Sequence, residues 1–232
     1  MRLSIVVPCY NEEKNIPLIL GKFKEVIKTD DIEVLLVNNG STDHSQEVFD
    51  RLVPAYPFAR VVKVKVNQGY GFGITSGLRE AKGEFIGYTH ADMQTDPADV
   101  LKALEIIEAQ TDAKNCYVKG DRKGRAFFDQ FFTMGMSLFE TVYLKTKLWD
   151  INAQPNIFHH SFFESLENIP KDFSLDLYLL YMAKKKGIRL IRFNVVFPPR
   201  IHGSSSWNDG FASKKKFIQR TIAFSTKLKK EL

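Results

Sequence analysis

Apolar runs and polar turns alternate along the first half of the chain. Leu3–Val7 is an apolar, β-branched run closed by Pro8, the pattern of a strand buried on both faces. Glu33–Val37, Arg60–Val66, Glu84–Thr89 and Cys116–Lys119 read as four further strands. Between them the spacing turns helical. One helix is predicted from Asn11-Glu12-Glu13 to about Lys28, with acids in its first turn and lysines toward its end. Ser41 or Thr42 is the expected cap of a helix after the second strand. Gly71–Lys82 follows the third strand, and Pro97–Ala109 the fourth, with Asp96 placed to cap it. Such alternation specifies right-handed crossovers and a mostly parallel α/β sheet flanked by helices on both faces. Ligands of these sheets bind outside the carboxyl ends of the strands.

From Arg125 the pattern changes. Phe127, Phe128, Phe131, Phe132, Met136, Phe139 and Tyr143 recur at helical spacing and mark one apolar face. The core is its expected destination, and a bilayer or a lipid-linked acceptor is the alternative. An apolar segment follows Asp150–Pro155. Then come a helix around Ser174–Lys186, a strand over Ile188–Phe197, a loop over Pro198–Ser206 and a basic amphipathic helix from about Gly210.

Composition narrows the setting. Across 232 residues, 33 Lys and Arg face 27 Asp and Glu, a net charge of +6. The excess crowds into Lys214, Lys215, Lys216, Arg220, Lys227, Lys229 and Lys230, opposed only by Glu231. Such a tail suits an anionic membrane surface, or else a solvated helix face; no nucleic-acid partner is expected. Cys9 and Cys116 are the only cysteines, which excludes a disulfide framework and a cysteine-rich zinc site. The first apolar run is too short for a signal peptide, and none reaches the ~18 residues of a spanning helix. A cytoplasmic protein, either soluble or peripheral on the inner face of the membrane, is therefore expected.

Two turns suggest chemistry by themselves. His90, Asp92 and Gln94 alternate by two after the fourth strand, so an extended backbone would project all three to one side. That trio could seat a hard divalent cation carrying a substrate phosphate. Gly69, Gly71, Gly73 and Gly77 invite a reading as an NAD(P)-dependent oxidoreductase. Their spacing is not G-x-G-x-x-G, however, and the first turn carries acids where a pyrophosphate needs bare amides. Close helix packing, or backbone approach to a sugar, is the better expectation for these glycines.

Six segments then stand in order: Val7-Pro8-Cys9-Tyr10-Asn11-Glu12, Val37-Asn38-Asn39-Gly40-Ser41-Thr42-Asp43, Asn67-Gln68-Gly69-Tyr70-Gly71, His90-Ala91-Asp92-Met93-Gln94-Thr95-Asp96-Pro97, Gly120-Asp121-Arg122 and Arg200-Ile201-His202-Gly203-Ser204-Ser205. Together they resemble the family-2 glycosyltransferases of the GT-A fold, in the branch of polyprenyl-phosphate sugar transferases such as the dolichol-phosphate mannose synthases. The resemblance covers nearly the full length. It implies an α/β GT-A domain over residues 1–205, with a nucleotide-sugar half (1–120) and an acceptor half (121–205). The basic C-terminal helix occupies 206–232. It also implies inverting transfer from a UDP- or GDP-linked sugar to a glycan or polyprenyl-linked acceptor, in envelope or surface polysaccharide synthesis.

Carried onto this chain, the resemblance gives Pro8, Tyr10 and Glu12 the base and ribose. Asn38, Asn39, Asn67, Gly71 and Ala91 complete the donor site. Asp92 and Gln94, with His90, would ligate Mg²⁺ or Mn²⁺ on the diphosphate, and Arg200 would add a cation to that diphosphate or to an acceptor phosphate. Asp176 is the expected general base and Asp121 the second choice; a lipid phosphate acceptor, already ionised, needs none. Two departures matter. Amides at Asn38 and Asn39 replace acids and leave the base open. An imidazole at His90 replaces a carboxylate, which favours Mn²⁺ over Mg²⁺ and weakens metal affinity. Both also motivate the alternative of a catalytically inactive sugar-nucleotide-binding subunit.

Overall fold

The computed structural model describes residues 1–124, 127–198 and 211–231, excepting the side chains of 127–132, 211–217 and 231. Seven strands form one sheet: β1 (Leu3–Cys9), β2 (Ile32–Asn39), β3 (Ala59–Val64), β4 (Phe85–Tyr88), β5 (Cys116–Lys123), β6 (Asn156–His159) and β7 (Arg189–Val196). Their order across the sheet is β3-β2-β1-β4-β6-β5-β7. Every pairing is parallel except those of β6, which runs antiparallel to both β4 and β5. The helices are α1 (Ile16–Val26), α2 (Ser45–Leu52), α3 (Tyr70–Glu80), α4 (Pro97–Glu108), α5 (Phe127–Tyr143), α6 (His160–Glu164), α7 (Leu175–Lys185) and α8 (Phe211–Glu231).

Strand residues alternate between two cores, one on each face. Val6, Leu35, Val37, Ile86 and Tyr88 point toward α3 and α7, while Ile5, Val7, Val34, Leu36 and Phe85 point toward α1 and α4. This is the expected mostly parallel α/β sheet, covered on both sides. From β1 the chain builds outward through β2 to β3, then returns to place β4 on the other flank of β1. That reversal opens a crevice at the carboxyl ends of β1 and β4.

The elements depart from expectation in three places. Helix α1 begins at Ile16 rather than Asn11, because Asn11 adopts φ 57° and Pro17 occupies the first helical turn. Helix α2 starts after His44; Ser41 lies in the preceding turn, its amide donating to Asn38 Oδ1 at 3.0 Å. The segment after Pro155 contains β6, which the apolar pattern did not resolve into a strand. Asp96 does cap α4, accepting from the Ala98 amide at 2.9 Å. Among the described residues, no helix is long and apolar enough to cross a membrane.

Candidate active site at the strand ends

The turns after β1 and β2 are stitched together by side chains. The Asn11 amide donates to Ser41 Oγ, the Glu12 amide to Ser45 Oγ and the Glu13 amide to Asp43 Oδ2, at 3.1, 3.0 and 3.3 Å. In return the Thr42 and His44 amides donate to Asn11 Oδ1 and Glu13 Oε2, at 2.8 and 3.1 Å. Pro8 ends paired with Val37, Tyr10 is 46% exposed beside them, and Glu12 Oε2 accepts from Asn15 Nδ2 at 2.5 Å. The polar residues that read as a helix start are thus used to bind one turn to the other.

The two asparagines ending β2 differ. Asn38 uses both ends of its amide: Oδ1 accepts from Ser41, and Nδ2 donates to Gln46 Oε1 at 2.8 Å. Asn39 donates through Nδ2 to the Gly69 carbonyl at 3.1 Å, but its buried Oδ1 meets no protein donor. An orphaned buried acceptor is costly unless a ligand supplies the donor. Asn67 Oδ1 accepts from the Gly69 amide at 2.8 Å, and Gly69 takes φ 117° to enter α3. The glycines of α3 serve close packing, as expected. A methyl group at Gly73 would lie 2.7 Å from Asn39 Nδ2, one at Gly71 2.5 Å from the Pro170 carbonyl, and one at Gly77 2.5 Å from Val6.

Beyond β4 the chain bends at once. The strand ends at Tyr88 and Met93 has φ 61°, so His90, Asp92 and Gln94 do not stand in the extended row that alternation by two required. Asp92 is buried, and its Oδ1 accepts from the Gln94 amide at 3.1 Å. Gln94 Nε2 donates to the Pro198 carbonyl at 3.0 Å. Ala91, between His90 and Asp92, is buried. The His90 ring lies 5.9 Å from the ring of Tyr70, the first residue of α3.

Tyr70 leads to Asp176. Its ring stacks on Phe173 at 4.8 Å, and its hydroxyl accepts from Gln154 Nε2 at 3.3 Å. Burial first, and then the Asp176 carboxylate, push the Tyr70 and Tyr88 hydroxyls well above the usual phenol range, so both remain protonated donors. The field of Asp92 also reaches Tyr70. Asp176 is 2% exposed; its Oδ1 accepts from Tyr88 at 2.7 Å and from Gln154 at 3.2 Å. Lys119 Nζ, fully buried on β5, lies 4.0 Å from the same oxygen. It donates to the Ala153 carbonyl at 2.7 Å and to Asn156 Oδ1 at 2.6 Å. Burial lowers this lysine to about 7, against the pull of Asp176.

Residues 4–166 match the sequence profile of glycosyl transferase family 2. The chain belongs to that family. A dolichol-phosphate mannosyltransferase of Pyrococcus furiosus is 24% identical over 211 residues, which is 88% of this chain and 59% of that protein. An uncharacterized glycosyltransferase of Bacillus subtilis, YkcC, is 35% identical over 132 residues, covering 55% and 40% of the two chains. An undecaprenyl-phosphate 4-deoxy-4-formamido-L-arabinose transferase of Yersinia enterocolitica is 29% identical over 111 residues, or 46% and 34%. The chain therefore spans 34% to 59% of the length of these curated relatives. Glucosyl-3-phosphoglycerate synthase from Mycobacterium tuberculosis, crystallised with Mn²⁺, UDP and glucosyl-3-phosphoglycerate, superposes with a TM-score of 0.74. That match covers 98% of this chain and 79% of the synthase; at 16% identity it establishes the GT-A fold alone.

For a family-2 chain, the oxidoreductase alternative falls away, consistent with α3 glycines that face protein atoms. The structure thus gathers the turns after β1 and β2 with Asn39, and both Asp92 and Asp176 act on Tyr70. Asp121, on β5, is half-buried and accepts from Lys123 Nζ at 2.8 Å. Arg200 lies outside the described residues. Lys119, Tyr70, Tyr88 and Gln154 went unremarked in the sequence. Only Lys119 carries a local signal, a charge inside an apolar strand.

Proposed function

We propose that the chain transfers a sugar from a nucleoside-diphosphate donor to a polyprenyl-phosphate or glycan acceptor, with inversion, in the assembly of a surface polysaccharide. The observation that carries this reading is that two carboxylates act on the buried Tyr70 hydroxyl, Asp176 linked to it through Gln154 and Asp92 from the turn after β4. One can serve a diphosphate and the other an acceptor. The base would rest over the first two turns, near Tyr10 and Pro8, with Asn39 Oδ1 accepting an imide or lactam hydrogen. Asn38, occupied on both ends, holds the turn.

Among the described residues no three His, Cys, Asp or Glu side chains are placed to hold a metal ion. The donor set at the end of β4 is one carboxylate, one amide and one imidazole. It fits a Mg²⁺ or Mn²⁺ whose remaining ligands are substrate phosphates and water. Asp92 would be its principal protein ligand, with Gln94 and His90 beside it. When bound, the ion neutralises charge developing on the leaving diphosphate.

In the transfer, an acceptor oxygen forms a bond to the anomeric carbon as the bond to the diphosphate oxygen breaks, and the electron pair leaves with the diphosphate. A hydroxyl acceptor must also lose its proton. Asp176 is the base for that proton, reached past Tyr70 and Gln154. A lipid phosphate would attack without it. Arg200 would supply a further cation to one of the phosphates.

The deciding measurement is thermal stabilisation by a panel of UDP- and GDP-sugars with and without Mn²⁺, followed by donor hydrolysis and transfer. A ligand at 100 times its dissociation constant adds about 2.7 kcal/mol. Stabilisation by one donor class, dependent on Mn²⁺ and accompanied by turnover, is the expected result. No response to any nucleotide sugar would remove the proposal. Tight binding without turnover would favour the inactive binding subunit, which the amides at Asn38 and Asn39 recommend.

A further inference from the structure

Helix α5 presents an uncovered apolar ridge. Met134, Leu138 and Val142, at successive i+4 positions, are 46%, 64% and 69% exposed, and Phe139 beside them is 36% exposed. The opposite side of the same helix is engaged. Ser137 and Glu140 are buried, Glu140 Oε2 accepts from Ser225 Oγ at 2.7 Å, and the hydroxyls of Tyr143 and Thr226 lie 3.0 Å apart. The end of α8 therefore runs along the end of α5. It carries Lys227, Lys229 and Lys230 there, all exposed, with the Lys229 ammonium 4.4 Å from the Tyr143 ring centre. Lys145 and Lys147, also exposed, follow directly on α5.

Lysines dominate the charge on the described part of this face. Between residues 133 and 149, and between 218 and 230, the only acid is Glu140, which is buried away from the ridge. A contiguous apolar ridge flanked by lysines is the pattern of a helix lying in a lipid interface, with methylene stems in the apolar layer and ammonium groups at the headgroups. A second copy docked ridge to ridge would press these lysines against their own counterparts. An anionic lipid surface removes that conflict.

We propose that this face of α5, with the lysines of α8 and of Lys145–Lys147, rests on an anionic bilayer, with Met134, Leu138 and Val142 seated among the acyl chains. The surface is read from the helices alone and does not depend on the transfer reaction.

The test is flotation of the full chain with vesicles of equal parts phosphatidylglycerol and phosphatidylcholine, against phosphatidylcholine alone. Binding to the mixed vesicles, weakened by salt, is expected. Leu138→Glu with Val142→Glu should reduce it by about tenfold or more, since burying one large apolar side chain is worth at least that factor. Lys145→Gln, Lys147→Gln and Lys230→Gln together should remove the preference for anionic vesicles. All these positions are exposed, and circular dichroism melts confirm that each variant is folded. Absence of flotation, or equal flotation of the double glutamate variant, would overturn the proposal. So would a concentration-dependent dimer in analytical ultracentrifugation that Leu138→Glu abolishes, because the ridge would then belong to a second copy.

Discussion

Tyr88 at the end of β4 donates its hydroxyl to Asp176 on α7 at 2.7 Å, tying the strand that leads into the Asp92 turn to the acid proposed for the acceptor. Asp176→Asn keeps the shape of this contact and removes the base. With a hydroxyl acceptor, turnover should fall by about 10²-fold or more while donor affinity holds. With a lipid phosphate acceptor it should change little. Steady-state kinetics on the two acceptor types separate the cases, and unchanged turnover on both would take the base role from Asp176.

Lys119 is the buried amine of the same cluster, a cation below about pH 7. Removing one member of a buried pair costs about 3–5 kcal/mol, because the other charge is left without compensation. Lys119→Met should destabilise the protein on that scale and also remove one of the two donors that serve the Ala153 carbonyl and Asn156 Oδ1. In urea unfolding, combining it with Asp176→Asn should cost less than the sum of the two, with a coupling of about 0.5–3 kcal/mol. Strict additivity would show that the pair does not interact.

Asp92→Ala should abolish Mn²⁺-dependent stabilisation by the donor nucleotide and leave the unliganded melting temperature within a few degrees. The carboxylate accepts from the Gln94 amide within its own turn. Calorimetric titration of UDP and GDP with and without Mn²⁺ reads this directly. Retained metal dependence would move the ion elsewhere.

Gly73→Ala would place a methyl group against the Asn39 side chain and displace it from the Gly69 carbonyl. Overpacking of this kind typically costs about 1–3 kcal/mol. Donor affinity should fall along with stability, since Asn39 Oδ1 is the proposed contact to the base. A variant that loses stability but keeps its nucleotide affinity would separate Asn39 from base recognition.

Glu140 gives a pH dependence. Burial raises its carboxyl from 4.5 to about 7, with the Ser225 hydroxyl pulling the other way, and Oε1 has no partner among the described residues. The folded state thus holds a proton up to about pH 7 that the unfolded chain releases near 4.5. The unfolded state binds fewer protons across that window, so this group's contribution to stability is lost as pH rises through it. Glu140→Gln should flatten the decline. Melting temperatures of both proteins from pH 5 to 8 test this, and parallel curves would refute it.

The strands that place the site were readable because they are buried on both faces: β1, β2 and β4 show as mainly apolar runs, with Ser4 and Glu33 the polar exceptions inside them. Strand β6 was not, having four residues, a histidine at its end and no periodicity long enough to detect. Asn11 looked like the start of a helix because acids follow it, and only its positive φ shows the chain still turning. Alternation at His90, Asp92 and Gln94 presumed an extended backbone that Met93 breaks. On α5, the sequence drew attention to the phenylalanines. The side chains of Phe127, Phe128, Phe131 and Phe132 lie outside the described residues, while Tyr143 packs against the core. The uncovered ridge runs instead through Met134, Leu138 and Val142. Tyr70 and Gln154 gave no local cue, because their partners are far apart in sequence.

Strand β6 also bears on how the chain is made. During synthesis from the N-terminus, β1–β4 and then β5 emerge first, yet β4 and β5 do not pair with each other. Until Asn156–His159 arrives, β4 keeps an open edge and β5 has no strand to pair with, because its other neighbour, β7, is made later still. The backbone edges of Phe85–Tyr88 and Tyr117–Lys119 invite wrong partners while they wait. One four-residue strand therefore decides when β5 and β7 can join the four strands already paired.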